Sequence, residues 1–285
     1  MEPKDRIIVA LDYPRFTPEV EGVVNSLRDF GITHFKAGLQ IVTAEGAPKI
    51  AFIMKNKGAN LFLDLKLNDI PNTVAGTARA IVGLGGVDMF NVHALGGEAM
   101  MKAAAEAAKD EAEKLGCPRP LVLGVTILTS LDSDELAKVG LLPIGEKSLG
   151  SAMSLIQEDE EGIKRAEKAA KELVDIGVRE LVVKLAKLAK KSGLDGVVCS
   201  GREIEAIREA CGPDFLLVVP GIRPKWAAAG DQKRIVTPSD ALKRGADFLV
   251  IGRPATDPPK EVGGPVEAVK RILDEIAAAM GEAGK

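Results

Sequence analysis

Imidazoles, thiols and long apolar runs are all scarce in this chain, and each shortage removes a class of function. His34 and His93 are the only histidines, and no spacing of His, Cys and carboxylate residues suggests a metal cage. A metal-free chemistry is therefore expected. Cys117, Cys199 and Cys211 are far apart, and none forms a Cys-x-x-Cys pair. That argues against a disulfide framework or a zinc knuckle, and for reduced thiols in the cytoplasm. No apolar run is long enough to cross a bilayer, and residues 1–6 lead into a strand without an apolar leader, so no membrane association is expected. A charge imbalance is missing too. Lys and Arg number 38 against 41 Asp and Glu, a formal net charge of −3, with the basic residues spread along the chain. Nucleic acid is therefore not expected as a partner, and any phosphate must be bound locally.

What the chain does have is an ordinary globular balance, 46% hydrophobic and 28% charged, over 285 residues. That is enough to bury a large core in one domain. Its most informative stretch is Asn60-Leu-Phe-Leu-Asp-Leu-Lys-Leu-Asn-Asp-Ile-Pro-Asn-Thr73. Leu61, Phe62, Leu63, Leu65 and Leu67 read as a strand, and Asp64, Lys66 and Asp69 fall near its end. Side chains two apart on a strand share a face, so Asp64 and Lys66 point the same way. Alone, this pattern reads equally as a structural ion pair, because buried charges must be paired wherever they occur.

Seven other runs have the same strand character: residues 7–12, 34–39, 87–93, 121–128, 196–200, 215–221 and 247–252. They are near-continuously apolar, as in parallel strands covered on both faces, and helix-compatible segments follow them. One such helix opens at Thr17-Pro18-Glu19, and others cover 201–211 and 237–244. Eight alternations of strand and helix predict a single closed (β/α)₈ (TIM) barrel spanning residues 1–285. Active sites of such barrels lie at the C-terminal strand ends, where Asp12, Lys36, Asp64, Lys66, His93, Thr129, Arg223 and Arg253 collect.

One interval breaks the rhythm. The first four strands are spaced by roughly 27 residues, but the step from the fifth to the sixth is roughly 70. A helical insertion is expected over 141–177, with a flexible approach at Gly145–Ser154 and an amphipathic helix after Glu158-Asp-Glu-Glu161. A separate helix, Val178–Lys191, would then be the ordinary fifth barrel helix.

Lys36, Asp64, Lys66 and Asp69 alternate in sign, so each group favours the ionised form of its neighbours. A lysine held charged is suited to donating a proton and to stabilising a developing carbanion. Val219-Pro-Gly-Ile-Arg-Pro224 and Val250-Ile-Gly-Arg-Pro254 end the last two strands, a position that often binds phosphate. Gly252 would allow close backbone approach, and Gln232 lies on a loop long enough to close over a ligand. His93, Cys199 and Cys211 read as packing residues, the histidine hydrogen-bonded.

Together, Asp64-x-Lys66-x-x-Asp69-Ile-Pro-x-Thr73, Leu11-Asp12, Lys36, Leu128-Thr129-Ser130, Pro220-Gly-Ile-Arg-Pro224, Gly230-Asp-Gln232 and Ile251-Gly-Arg253 resemble the orotidine 5'-phosphate decarboxylases of the bacterial type. The resemblance covers nearly the whole chain except the insertion, for which it offers no counterpart. It implies cofactor-free decarboxylation of orotidine 5'-phosphate to UMP in de novo pyrimidine biosynthesis. It makes Lys66 the proton donor to C6 and sets Asp64 against the leaving carboxylate, with Lys36 and Asp12 on the ribose. Thr129 would lie near the pyrimidine, and Arg223, Gln232, Gly252 and Arg253 would hold the phosphate. Asp69 and Thr73 would reach the ligand of a neighbouring subunit, so a homodimer with shared active sites is expected. Two alternatives stay open: a magnesium-dependent sugar-phosphate lyase or decarboxylase with the same Asp-x-Lys-x-x-Asp pattern, and a catalytically silent nucleotide-binding barrel.

Overall fold

The computed structural model describes residues 2–154, 159–227 and 236–282. Eight parallel strands close into a barrel in sequence order: β1 (Ile7–Ala10), β2 (His34–Gly38), β3 (Asn60–Leu67), β4 (Val87–His93), β5 (Leu121–Val125), β6 (Gly196–Val198), β7 (Leu216–Val219) and β8 (Phe248–Ile251). The strands end earlier than the apolar runs that announce them. Asp12, Ile127 and Leu128 therefore lie on the loops of the C-terminal rim.

Alternation along each strand divides the core in two. Ile8, Ala10, Phe62, Met89, Leu123, Val218, Phe248 and Val250 fill the barrel interior. Their neighbours Ile7, Val9, Phe35, Leu61, Leu63, Phe90, Val122, Leu217 and Leu249 pack outward against the helices. Because the side-chain period is two, the interior parity continues upward into polar residues: Ala10 to Asp12, Phe62 to Asp64 and Lys66, Met89 to Asn91, and Val250 to Gly252. The fold itself thus brings the charged set to one rim.

The opposite, N-terminal rim is built on a repeat. Gly86-Val-Asp88, Gly193-Leu-Asp195 and Gly245-Ala-Asp247 introduce β4, β6 and β8, and each glycine has positive φ (80°, 81° and 105°). Each aspartate accepts the backbone N–H of the second residue of the preceding strand: Leu61 at 2.8 Å, Val122 at 2.7 Å and Leu217 at 2.8 Å. Two are also paired with arginine, Asp195 with Arg119 at 2.9 Å and Asp247 with Arg208 at 2.7 Å. Gly31-Ile-Thr33 before β2 breaks the pattern, and there His34 bridges Thr33 and Asn60 instead.

The long interval between β5 and β6 is helical, with two differences from expectation. Gly145–Ser154 is not a flexible approach, since Glu146–Ser154 forms a helix. Nor are there two helices on either side of Gly177: Glu160–Lys191 is one helix of 32 residues. Its buried stripe explains why. Ala166, Ala170, Val174, Val178, Val182, Ala186 and Ala189 recur without a phase break, and Gly177 simply passes Leu142 at ordinary contact distance. The outer half packs on Glu146–Ser154, with Gly150 facing Ala170, while the inner half reaches the barrel, where Ala189 meets Gly124 of β5. The insertion is therefore the outward extension of the fifth barrel helix, with a short helix packed against its outer half. Asp159 caps its start by accepting the N–H of Gly162.

Candidate active site

A cavity of about 480 Å³ opens at the C-terminal rim. Asp12, Lys36, Asp64 and Lys66 line one side, Arg223, Gly252 and Arg253 another, and Thr129 lies between Leu128 and the loop that follows it. Val125, Ile127, Val198 and Val250 supply an apolar wall. Eight of the residues expected at the site thus meet in one place.

Its centre is the carboxylate of Asp64, 6% exposed. Lys36 Nζ lies 3.0 Å from Oδ2, and Lys66 Nζ donates to Oδ1 at 2.7 Å. Lys36 also reaches Asp12 Oδ1 at 2.9 Å. Burial alone would raise the Asp64 pKa, but Lys36, Lys66 and the hydrogen bonds outweigh it and hold the carboxyl at about 2. Burial likewise works against a charged Lys36, yet Asp64 and Asp12 raise its pKa on balance. Asp64 and Lys36 are therefore ionised at neutral pH, and the Lys66 amine lines the cavity beside them.

Strand order explains the assembly. Lys36 and Asp64 stand on adjacent strands, with Gly38 paired to Asp64 in register. A β-carbon at Gly38 would stand 3.3 Å from Lys36 Nζ, so glycine leaves the ammonium its space. On the far side of the ring Gly252 follows β8, and a β-carbon there would face Asp12 Oδ2 at 3.5 Å. Arg223 is buried, donates to its neighbour's carbonyl Ile222 O at 3.2 Å, and has its pKa lowered by burial and by the nearby Arg253 charge. Two guanidiniums held close together on a cavity wall make a site for a dianion.

The remaining expectations concern residues outside this cavity or outside the described residues. Asp69 and Thr73 are exposed outside the cavity, at the start of the helix Pro71–Leu84, with the 65% exposed Ile70 between them. Asp69 Oδ1 accepts the N–H of Ile70. Gln232 lies outside the described residues. His93 is not a hydrogen-bonded packing residue: its Nδ1 is buried without a hydrogen-bond partner among the described residues. Burial and the charge of Lys66 lower its pKa. Cys199 and Cys211 are buried free thiols, as expected, though Cys199 also touches the cavity.

One cavity residue, Gln40, and one buried residue behind the cavity wall, Asn91, went unforeseen. Gln40 lies just beyond β2, with no motif to mark it. Asn91 is completely buried on β4, donates from Nδ2 to Asp64 Oδ1 at 2.7 Å, and accepts the N–H of Lys66 at 2.6 Å. Its one signal is parity, because a polar side chain two residues before His93 must face the barrel interior. Among the described residues no cluster of three or more His, Cys, Asp or Glu is placed to hold a metal ion, and no helix is long and apolar enough to cross a membrane.

Comparison with known proteins gives one consistent result. The family model of the orotidine 5'-phosphate decarboxylase / HUMPS family matches residues 5–272, a span that includes the long helix and its partner. The orotidine 5'-phosphate decarboxylase of Moorella thermoacetica is 46% identical over 276 residues, covering 97% of this chain and 94% of that protein. That of Syntrophomonas wolfei is 42% identical over 278 residues, covering 97% and 99%. Among solved structures, orotidine 5'-phosphate decarboxylase from Lactobacillus acidophilus superposes with a TM-score of 0.70 at 31% identity, over 95% of this chain and 99% of that one.

Proposed function

The chain belongs to the orotidine 5'-phosphate decarboxylase / HUMPS family, and from that premise we propose how its rim converts orotidine 5'-phosphate to UMP in pyrimidine biosynthesis. The observation that carries the reading is the Asp64 carboxylate, held between Lys36 and Lys66 on the cavity wall. The substrate phosphate binds Arg223 and Arg253, where Gly252 lets the backbone approach, and the pyrimidine lies against the apolar wall near Thr129. Lys36 and Asp12 hold the ribose. The C6 carboxylate then projects toward Asp64. Cleavage of the bond between C6 and the carboxyl carbon releases CO₂ and leaves the electron pair on C6. Lys66 Nζ stabilises that carbanion and donates the proton that completes UMP, and solvent reprotonates the amine.

Asp64 serves by fixing the ammonium before the reaction begins, so that little reorganisation is needed as charge develops. Gln232 joins the phosphate contacts in this reading, and binding energy at the remote group contributes to activation at C6. The reaction calls on no cofactor or metal. The active form is a homodimer in the cytoplasm, in which Asp69 and Thr73 reach the ligand of the neighbouring subunit. Their exposure around the start of the helix Pro71–Leu84, together with that of Ile70, supports this placement.

An absorbance assay on orotidine 5'-phosphate tests the reading. Turnover that is indifferent to a chelator supports it. Dependence on magnesium would favour the lyase alternative, and no turnover by folded protein would favour a silent nucleotide-binding barrel.

A further inference from the structure

We propose that Asn91 is a positioning residue, whose carboxamide closes a bulge in β3 and thereby sets Lys66 against Asp64. The inference rests on Lys66 acting as the proton donor. Pairing between β3 and β4 shifts once near its start, from Leu61 with Val87 to Phe62 with Met89, and again after Leu63 with Phe90, where the next pair is Leu67 with Val92. Asp64, Leu65 and Lys66 therefore stand opposite the single residue Asn91. Excess residues on one strand interrupt the ladder, bend the chain and re-aim side chains.

Lys66 bears the consequence. It has φ 52°, the only non-glycine residue with positive φ among the described residues. A lysine gains nothing from that conformation, which costs about 1–2 kcal/mol relative to ordinary backbone. Such a conformation persists only where its surroundings hold it. The Lys66 N–H finds Asn91 Oδ1 at 2.6 Å, a side-chain acceptor in place of a strand carbonyl. The other end of the same amide, Nδ2, donates to Asp64 Oδ1 at 2.7 Å, the oxygen that Lys66 Nζ also contacts. One planar group thus ties both ends of the three-residue arc.

The chemistry selects asparagine. An ionised carboxylate can only accept, and a backbone N–H can only donate, so the bridging group must offer one donor and one acceptor at fixed separation. Reversing the amide would satisfy neither. Leucine, apt for this interior parity on neighbouring strands, would leave both groups unsatisfied in a fully buried place. Aspartate keeps the shape but turns the donor into a second carboxylate, unless the two share a proton.

The test compares Asn91→Ala and Asn91→Asp with the parent enzyme, measuring kcat and the dissociation constant of UMP across pH. Misplacing the ammonium should lower kcat of Asn91→Ala by about 100-fold while UMP binding changes by no more than about threefold. Asn91→Asp should recover relative to the parent as pH falls from about 8 to about 5, because a shared proton restores the donor, whereas Asn91→Ala should not. A kcat for Asn91→Ala within about threefold of the parent overturns the proposal. Equal losses in kcat and UMP binding, with no recovery of Asn91→Asp in acid, also overturn it, since they indicate general structural damage. If Asn91→Ala does not fold, the pH response of the isosteric Asn91→Asp decides alone. A parent that turns over, beside an inactive Lys66→Ala, keeps the reading of Lys66 intact whatever Asn91 shows. A parent that does not turn over defeats both.

Discussion

The two rims of the barrel use the same residue, aspartate, for opposite ends. At the N-terminal rim Asp88, Asp195 and Asp247 each take up a strand N–H, and Arg119 and Arg208 complete two of the three sites. Those carboxylates are spent on the backbone, and they lock neighbouring strands in pairs. At the C-terminal rim Asp64 makes no side-chain contact with a strand N–H among the described residues. Its partners are the side chains of Lys36, Lys66 and Asn91, and it faces a cavity. A carboxylate bound to backbone fixes the fold. One bound to ammonium groups is, in the proposed mechanism, what fixes the position of a proton. This division between a stabilising and a reactive face is characteristic of the architecture, and here it appears in the hydrogen-bond partners themselves.

Substitutions at the two rims should separate accordingly. The largest effect is expected for Lys66→Ala, which removes the group proposed as both the acid and the positive charge beside C6. Initial rates should fall by about 10⁴-fold or more, combining general-acid and electrostatic losses. Arg223→Ala should come next, lowering kcat/KM by about 10–100-fold, mainly through KM. The same change should cost nothing when orotidine, which lacks the phosphate, is the substrate. At the opposite rim Asp247→Ala should leave turnover per folded molecule unaltered and destabilise the fold by about 1–3 kcal/mol, since Arg208 keeps its backbone carbonyls but loses its charged partner, and the Leu217 N–H loses its acceptor. Urea unfolding measures that loss.

The smallest effect is an absence of change. With its folded pKa near 2, below the ordinary carboxylate value, Asp64 contributes stability that is present at neutral pH and is lost only as pH falls toward 2. A carbon-13 NMR titration of Asp64 should therefore be flat from about pH 8 to about pH 4. Lys36 has the opposite sign: its pKa is raised, so its contribution is present below the ordinary lysine value and fades as pH rises through the folded one.

The strands and the charged set were legible because both rest on short-range rules. Buried parallel strands must be apolar, and the period of two carries Asp12, Lys36, Asp64 and Lys66 to one interior rim. Asn91 was not legible, because its role depends on a bulge, and register between strands leaves no trace in either strand alone. The division expected after residue 177 does not occur. Glycine weakens a helix locally, but an unbroken stripe from Ala166 to Ala189 outweighs it. The glycine-aspartate repeat at the N-terminal rim is written plainly in the sequence, yet its meaning requires knowing that Asp88 reaches across to β3.

The central claim is that reaction and stability are held at opposite ends of one barrel. It is tested most directly by measuring turnover and unfolding free energy for Lys66→Ala and Asp247→Ala side by side. A crossing is expected: Lys66→Ala loses turnover and stays within about 1 kcal/mol of the parent in stability, while Asp247→Ala loses stability and keeps turnover per folded molecule. If both variants lost the same quantity, or Lys66→Ala kept turning over, the claim would be contradicted.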